Sequence, residues 1–97
     1  MQRKAKVMRS KGRFVVLNDK GLHTRPSTEL VKCAAGFNSQ IHLSYRKHIV
    51  NAKSLLGILM LAAEKGARIN IDAIGDDAAE AVTALQALAE RRFNIHY

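Results

Sequence analysis

The chain contains a single proline, Pro26, within the run Gly21-Leu22-His23-Thr24-Arg25-Pro26. Proline locks φ and removes a backbone N–H, so it breaks element interiors but suits the first turn of a helix. The apolar run Phe14-Val15-Val16-Leu17 reads as a strand that ends in the turn-prone Asn18-Asp19-Lys20-Gly21. A helix is then expected from Pro26. Leu30, Val31, Ala34 and Phe37 form its inner face, and Gly36 and Asn38 mark its end.

The rest of the chain alternates in the same way. Gln40 to Tyr45 has the period of a half-buried strand, and Arg46-Lys47 turns it into a hairpin partner, His48 to Asn51. Ser54 fits a helix N-cap, and that helix is expected to run to about Lys65 before Gly66. Ala67 to Ala73 alternates again, with Ile69 and Ile71 on one face. Asp77 and Glu80 resemble a capping box for a last helix with Ala78, Val82, Leu85 and Leu88 or Ala89 as its stripe. The order β-α-β-β-α-β-α predicts an α+β fold: a four-stranded antiparallel sheet with three helices on one face, an open-faced β-sandwich. The other face can then be polar, which suits Gln40, His42, Ser44 and Asn70.

The formal charge of +8 divides unevenly. Residues 1–13 carry +6 with no acid, and the remainder nets +2. This predicts a flexible basic arm over 1–12, a folded domain over 13–92 and a short tail over 93–97. A basic arm can attract nucleic acid in a salt-dependent way, but no nucleic-acid motif or interleaved aromatics support that class, and it ranks last. The single cysteine, Cys33, excludes an intramolecular disulfide and reads as a small core residue. Without a signal pattern or a membrane-spanning run, a cytoplasmic location and no membrane insertion are expected. His42, His48 and His96 lack metal-ligand spacing, so no metal and no cofactor are expected.

His23 falls just before a helix, where backbone amides and the positive end of the helix dipole favour anions. Arg25 adds a forked donor suited to phosphate oxygens. An isolated histidine there is usually a turn residue. With Gly21 permitting close approach, however, the group reads as an imidazole able to take a phosphoryl group onto itself. The second segment of interest is Asn51 to Leu61. Its Leu55, Leu56, Ile58, Leu59, Met60 and Leu61 exceed the stripe that one buried helix face needs, which points to a docking patch. Ser54 caps this helix, and a phosphate there would place negative charge beside the patch.

Together these segments resemble HPr, the histidine-containing phosphocarrier family of the bacterial phosphoenolpyruvate-dependent phosphotransferase system, over about residues 13–92. Gly21 to Thr28 is similar to the family's active-site pattern, and Asn51 to Leu61 to its regulatory-serine pattern. The resemblance implies a stoichiometric carrier rather than an enzyme. His23 would accept phosphate at Nδ1 from phosphorylated Enzyme I and pass it to enzyme II-type acceptors, with Arg25 steadying the group. Thr24, Ser27 and Thr28 would support the phosphate. Ser54 would match the target of an HPr kinase/phosphorylase, and Leu55, Leu56 and Leu59 would meet partners. A monomer is expected. The alternative is a regulatory member, including the nitrogen-type branch, controlled at Ser54 and acting by protein binding. The long basic arm and the basic Arg91 to Tyr97 segment depart from the family pattern.

Overall fold

A computed structural model describes residues 8–95. Strands β1 (Arg9–Val15), β2 (Gln40–Tyr45), β3 (His48–Asn51) and β4 (Arg68–Ile74) form one antiparallel sheet in the order β1-β4-β2-β3. Helices α1 (Thr24–Ala35), α2 (Leu55–Met60) and α3 (Ala78–Glu90) close over its apolar face. The expected architecture is the one found. Inward-facing Phe14, Ile41, Leu43, Ile69, Ile71 and Ala73 meet Leu30, Ala34, Ile58, Val82 and Leu85 in a single core. Among the described residues, no helix is long and apolar enough to cross a membrane.

The β2–β3 hairpin spans the expected residues, and β4 starts one residue later than expected. Strand β1 differs more. It begins at Arg9, so residues 9–12 of the expected arm lie in the sheet, paired with β4 from Arg9↔Ile74 onward. Residues 1–7 of that arm lie outside the described residues. The inward positions Ser10 and Gly12 carry no apolar side chain, so hydrophobic alternation is silent there. Gly12 is small for a reason: a Cβ would stand 2.5 Å from Val82 Cγ1 and 2.9 Å from Gln86 Nε2. Gly12→Val is expected to overpack this contact and cost about 1–3 kcal/mol in urea unfolding.

Helix α1 starts at Thr24 with His23 as N-cap, so Pro26 is its third residue rather than its first. The proline still falls among the first-turn positions, whose amides lack an intrahelical acceptor. The buried face of α1 is Pro26, Ser27, Leu30 and Ala34, while Val31 and Phe37 are only half-buried. Gly36 caps it in a right-handed conformation, with its N–H donating to Cys33 O.

Helix α2 is much shorter than expected, ending at Met60 instead of near Lys65. Leu61 N–H donates to Ile58 O and Ala62 N–H to Leu59 O, tightening the last turn, and Ala62 then turns left-handed (φ 50°). Leu61, Ala63 and Ala67 are buried in the segment that follows.

Asp77 does not form the expected capping box, since its side chain makes no cap bond to α3. Its carboxylate instead accepts the N–H groups of Asn38 (2.8 Å) and Ser39 (2.9 Å) and the Ser39 hydroxyl. These bonds tie the α1–β2 loop to the start of α3, and they hold the Asp77 carboxyl below the usual carboxylate range, the Ser39 hydroxyl contributing most. A lowered folded-state value means stabilisation that is present above the unfolded value near 4 and is lost as pH falls through the folded value. Asp77→Ala is therefore expected to lower Tm at neutral pH, with the gap to the parent shrinking below about pH 4 in thermal melts.

The expected tail is not a tail at its start. Phe93 is fully buried and packs edge-on against Phe14, with ring centroids 5.8 Å apart at 73°. Arg92, Phe93 and Asn94 form one tight turn with φ of 54°, 54° and 60°. The buried Asn18 fastens it, with Nδ2 donating to Arg92 O (3.0 Å) and Ile95 O (3.1 Å).

Candidate functional site

The β1–α1 loop is held on three sides. Gly21 has φ 67°, and a Cβ there would lie 2.3 Å from Ala63 O, so only glycine allows the approach. Leu22 is buried and its N–H donates to Ala63 O (2.9 Å). Gly21 N–H donates to Asn18 O (3.0 Å), and Asn18 is in turn bound to the C-terminal turn. His23 therefore sits on a backbone fixed by the core.

His23 is the N-cap of α1 with extended backbone (φ −76°, ψ −171°), and its side chain makes no cap bond to the helix. Its Nε2 is buried, while the residue as a whole is half-exposed. Thr24 and Arg25 occupy the first two helical positions and are exposed. The structure thus brings His23, Thr24 and Arg25 together at one helix end, where anions are favoured.

Ser27 and Thr28 are placed differently from expectation. Ser27 is fully buried, and its hydroxyl donates to Leu22 O (2.9 Å). That bond locks the loop and turns the hydroxyl into the protein interior. Thr28 Oγ1 donates back to Thr24 O (2.8 Å) within the helix. Asp19 and Lys65, which no sequence pattern marks as part of the site, pair at 3.0 Å beside the loop. Lys65, and more distantly Arg92, hold the Asp19 carboxyl below its ordinary range. No local spacing announces that pair, because its partners are far apart in sequence.

At the second segment, Ser54 is the N-cap of α2 and its Oγ accepts the Gly57 N–H (3.0 Å). Leu56 and Met60 are each 70% exposed and Leu55 is 37% exposed, whereas Ile58 is buried and Leu59 half-buried. The exposed patch is therefore Leu55, Leu56 and Met60. Met60 belongs to the apolar excess read from the sequence but not to the three leucines expected to meet partners; it takes the place of Leu59 because a one-and-a-half-turn helix shows a different face from a long one. Among the described residues, no group of three or more His, Cys, Asp and Glu side chains is placed to hold a metal ion.

The chain is an open-faced sandwich with a half-exposed histidine at the start of its first helix, and comparison with known proteins places it among small phosphocarrier proteins. The family model described as the phosphotransferase-system HPr component phosphorylation site matches residues 10–91. An HPr from Thermoanaerobacter tengcongensis is 36% identical, with TM-score 0.85, over 91% of this chain and 99% of that one. The phosphocarrier protein HPr of Bacillus anthracis str. Ames is 38% identical, with TM-score 0.77, over 81% and 94%. Crh of Bacillus subtilis, a catabolite-repression protein solved as a swapped dimer, is 30% identical, with TM-score 0.69, over 95% of each chain. This chain belongs to the HPr family.

Proposed function

We propose that this protein is a cytoplasmic, monomeric phosphoryl carrier of the phosphotransferase system. On this reading His23 receives a phosphoryl group from phosphorylated Enzyme I and gives it to an enzyme II-type acceptor. The observation that carries it is the seating of His23 at the head of α1 with Nε2 turned inward. A neutral imidazole attacks phosphorus with the lone pair of one nitrogen while the other keeps its proton. With Nε2 buried, we assign the attack to Nδ1. The N–P bond forms as the bond from phosphorus to the donor breaks, and no proton need leave the ring. The product carries negative charge beside the first turn of α1 and the guanidinium of Arg25.

A carrier must also release its cargo. Thr24 and Arg25 are exposed, so the group is held by few contacts at the surface and stays within reach of the next acceptor. Phosphoryl transfer needs positioning and charge neutralisation more than covalent machinery. Incubation with phosphoenolpyruvate and Enzyme I tests the reading. One acid-labile phosphate per chain is expected, and no uptake would contradict it.

The exposure of Leu55, Leu56 and Met60 favours a second, compatible role: regulation through partner binding at α2, switched at Ser54 by an HPr kinase/phosphorylase. A phosphate on Ser54 Oγ would stay at the N-terminus of α2 and set charge beside the apolar patch. Ser54→Asp is expected to change affinity for partners that use this patch; unchanged affinity across Enzyme I and enzyme II acceptors would sink this role.

A further inference from the structure

Among the described residues strand β1 pairs only with β4, which leaves its other edge open. Met8 O accepts Gly75 N–H and Val16 N–H donates to Ala67 O, which places the even-numbered positions in bonding contact with the β4 side. Bonding positions alternate in an antiparallel ladder. Arg9, Lys11, Arg13 and Val15 therefore turn their backbone groups to the open edge, and Gln86 Nε2 indeed reaches Arg13 O from outside (3.1 Å). The same residues carry their side chains on the solvent face of the sheet, opposite to Phe14. Three of the four are cations.

Arg9 is answered by Asp72, with bonds of 2.9 and 2.6 Å. Among the described residues Lys11 and Arg13 form no ion pair, and Arg68, opposite Val15, adds another cation. Around the strand's inner side, a groove of about 390 Å³ opens between β1 and α3, with Phe14, Val15, Leu17 and Ala89 as its apolar lining. Cations on an edge strand discourage pairing with another copy, since two antiparallel β1 strands would set like charges opposite each other. They leave the edge open to a strand of opposite charge.

We propose that the open edge of β1 docks an extended acidic segment of a partner protein, which adds to the sheet as a fifth strand. Its backbone would pair with Arg9, Lys11 and Arg13. Its carboxylates at alternate positions would lie over Lys11 and Arg13, and the apolar residues between them would face the β1–α3 groove. The Gln86 amide must release Arg13 O for the ladder to extend, so Gln86 acts as a gate on that edge. Neither His23 nor any residue of the α2 patch lines this surface.

The test is an amide NMR titration of the full chain with a short peptide alternating Glu and Val. Shifts are expected along Arg9–Val15 and at Gln86, with a Glu-block/Val-block isomer binding at least tenfold more weakly. The double variant Lys11→Glu/Arg13→Glu should lose the Glu–Val peptide and gain an alternating Lys–Val one. Gln86→Ala should bind the Glu–Val peptide several-fold more tightly. The proposal is overturned by absence of shifts on β1, by equal binding of the block isomer, or by unchanged affinity in Gln86→Ala. It is equally overturned if a single-stranded oligonucleotide binds β1 more tightly than the peptide, or if sedimentation shows the edge paired with a second copy.

Discussion

His23→Ala is expected to take up no acid-labile phosphate from phosphoenolpyruvate and Enzyme I, while keeping its fold. The loss is total because the imidazole supplies the bond to phosphorus, and neighbouring donors only steady it. The fold survives because the loop is held by the backbone bonds of Gly21 and Leu22 and by the Ser27 hydroxyl, none of which uses the His23 side chain. Stability within about 1 kcal/mol of the parent in urea unfolding is expected. Arg25→Ala should behave differently, with phosphate still reaching His23 but more slowly. Intact labelling of His23→Ala would refute the assignment.

Phe93→Ala is expected to cost about 3–5 kcal/mol, the range for emptying an aromatic site in a core. That is a large part of the roughly 5–15 kcal/mol by which domains are stable. The ring is fully buried and edge-on to Phe14, so its removal leaves a cavity between β1 and the C-terminal turn. The same turn gives Asn18 its two carbonyl acceptors. Loosening it should therefore reach the β1–α1 loop, and phosphate uptake at His23 should slow before the domain unfolds. Chemical denaturation checks the first effect and labelling rate at low temperature the second. A loss below about 1 kcal/mol would show that the turn packs as a dispensable tail.

What could be read from the sequence follows from where each signal resides. Strand β2 is legible because Ile41 and Leu43 alternate with polar residues over a half-buried face. The stripe of α3 is legible for the same reason at period 3.6. Strand β1 is half hidden, since α3 leaves no room for a side chain at Gly12, so the pattern goes blank over Ser10 and Gly12. The length of α2 is hidden because every residue from Leu55 to Leu61 except Gly57 is apolar. Its end depends on the buried path of Leu61 and Ala63 back to the site loop. Phe93 has no periodic neighbours, so its burial shows only once Phe14 is placed beside it.

The candidate site divides in the same way. Backbone position is a sequence property, so His23 and Arg25 at a helix start could be read from Gly21 and Pro26. The direction of a hydroxyl is a tertiary property. Ser27 turning to Leu22 O and Thr28 to Thr24 O could not be read. Asp77 passed for a helix cap because its neighbours fit the pattern, while its acceptors were claimed by a loop far away in sequence.

The central claim is that one ring nitrogen of His23 carries the phosphoryl group. Its most direct test is NMR of the chain, labelled with nitrogen-15 at histidine and phosphorylated through Enzyme I, with the modified nitrogen identified by coupling to phosphorus. The account predicts a single N–P bond at Nδ1 of His23. Phosphate on Nε2 of that ring, on His42 or His48, or on Ser54 in place of His23 would contradict it.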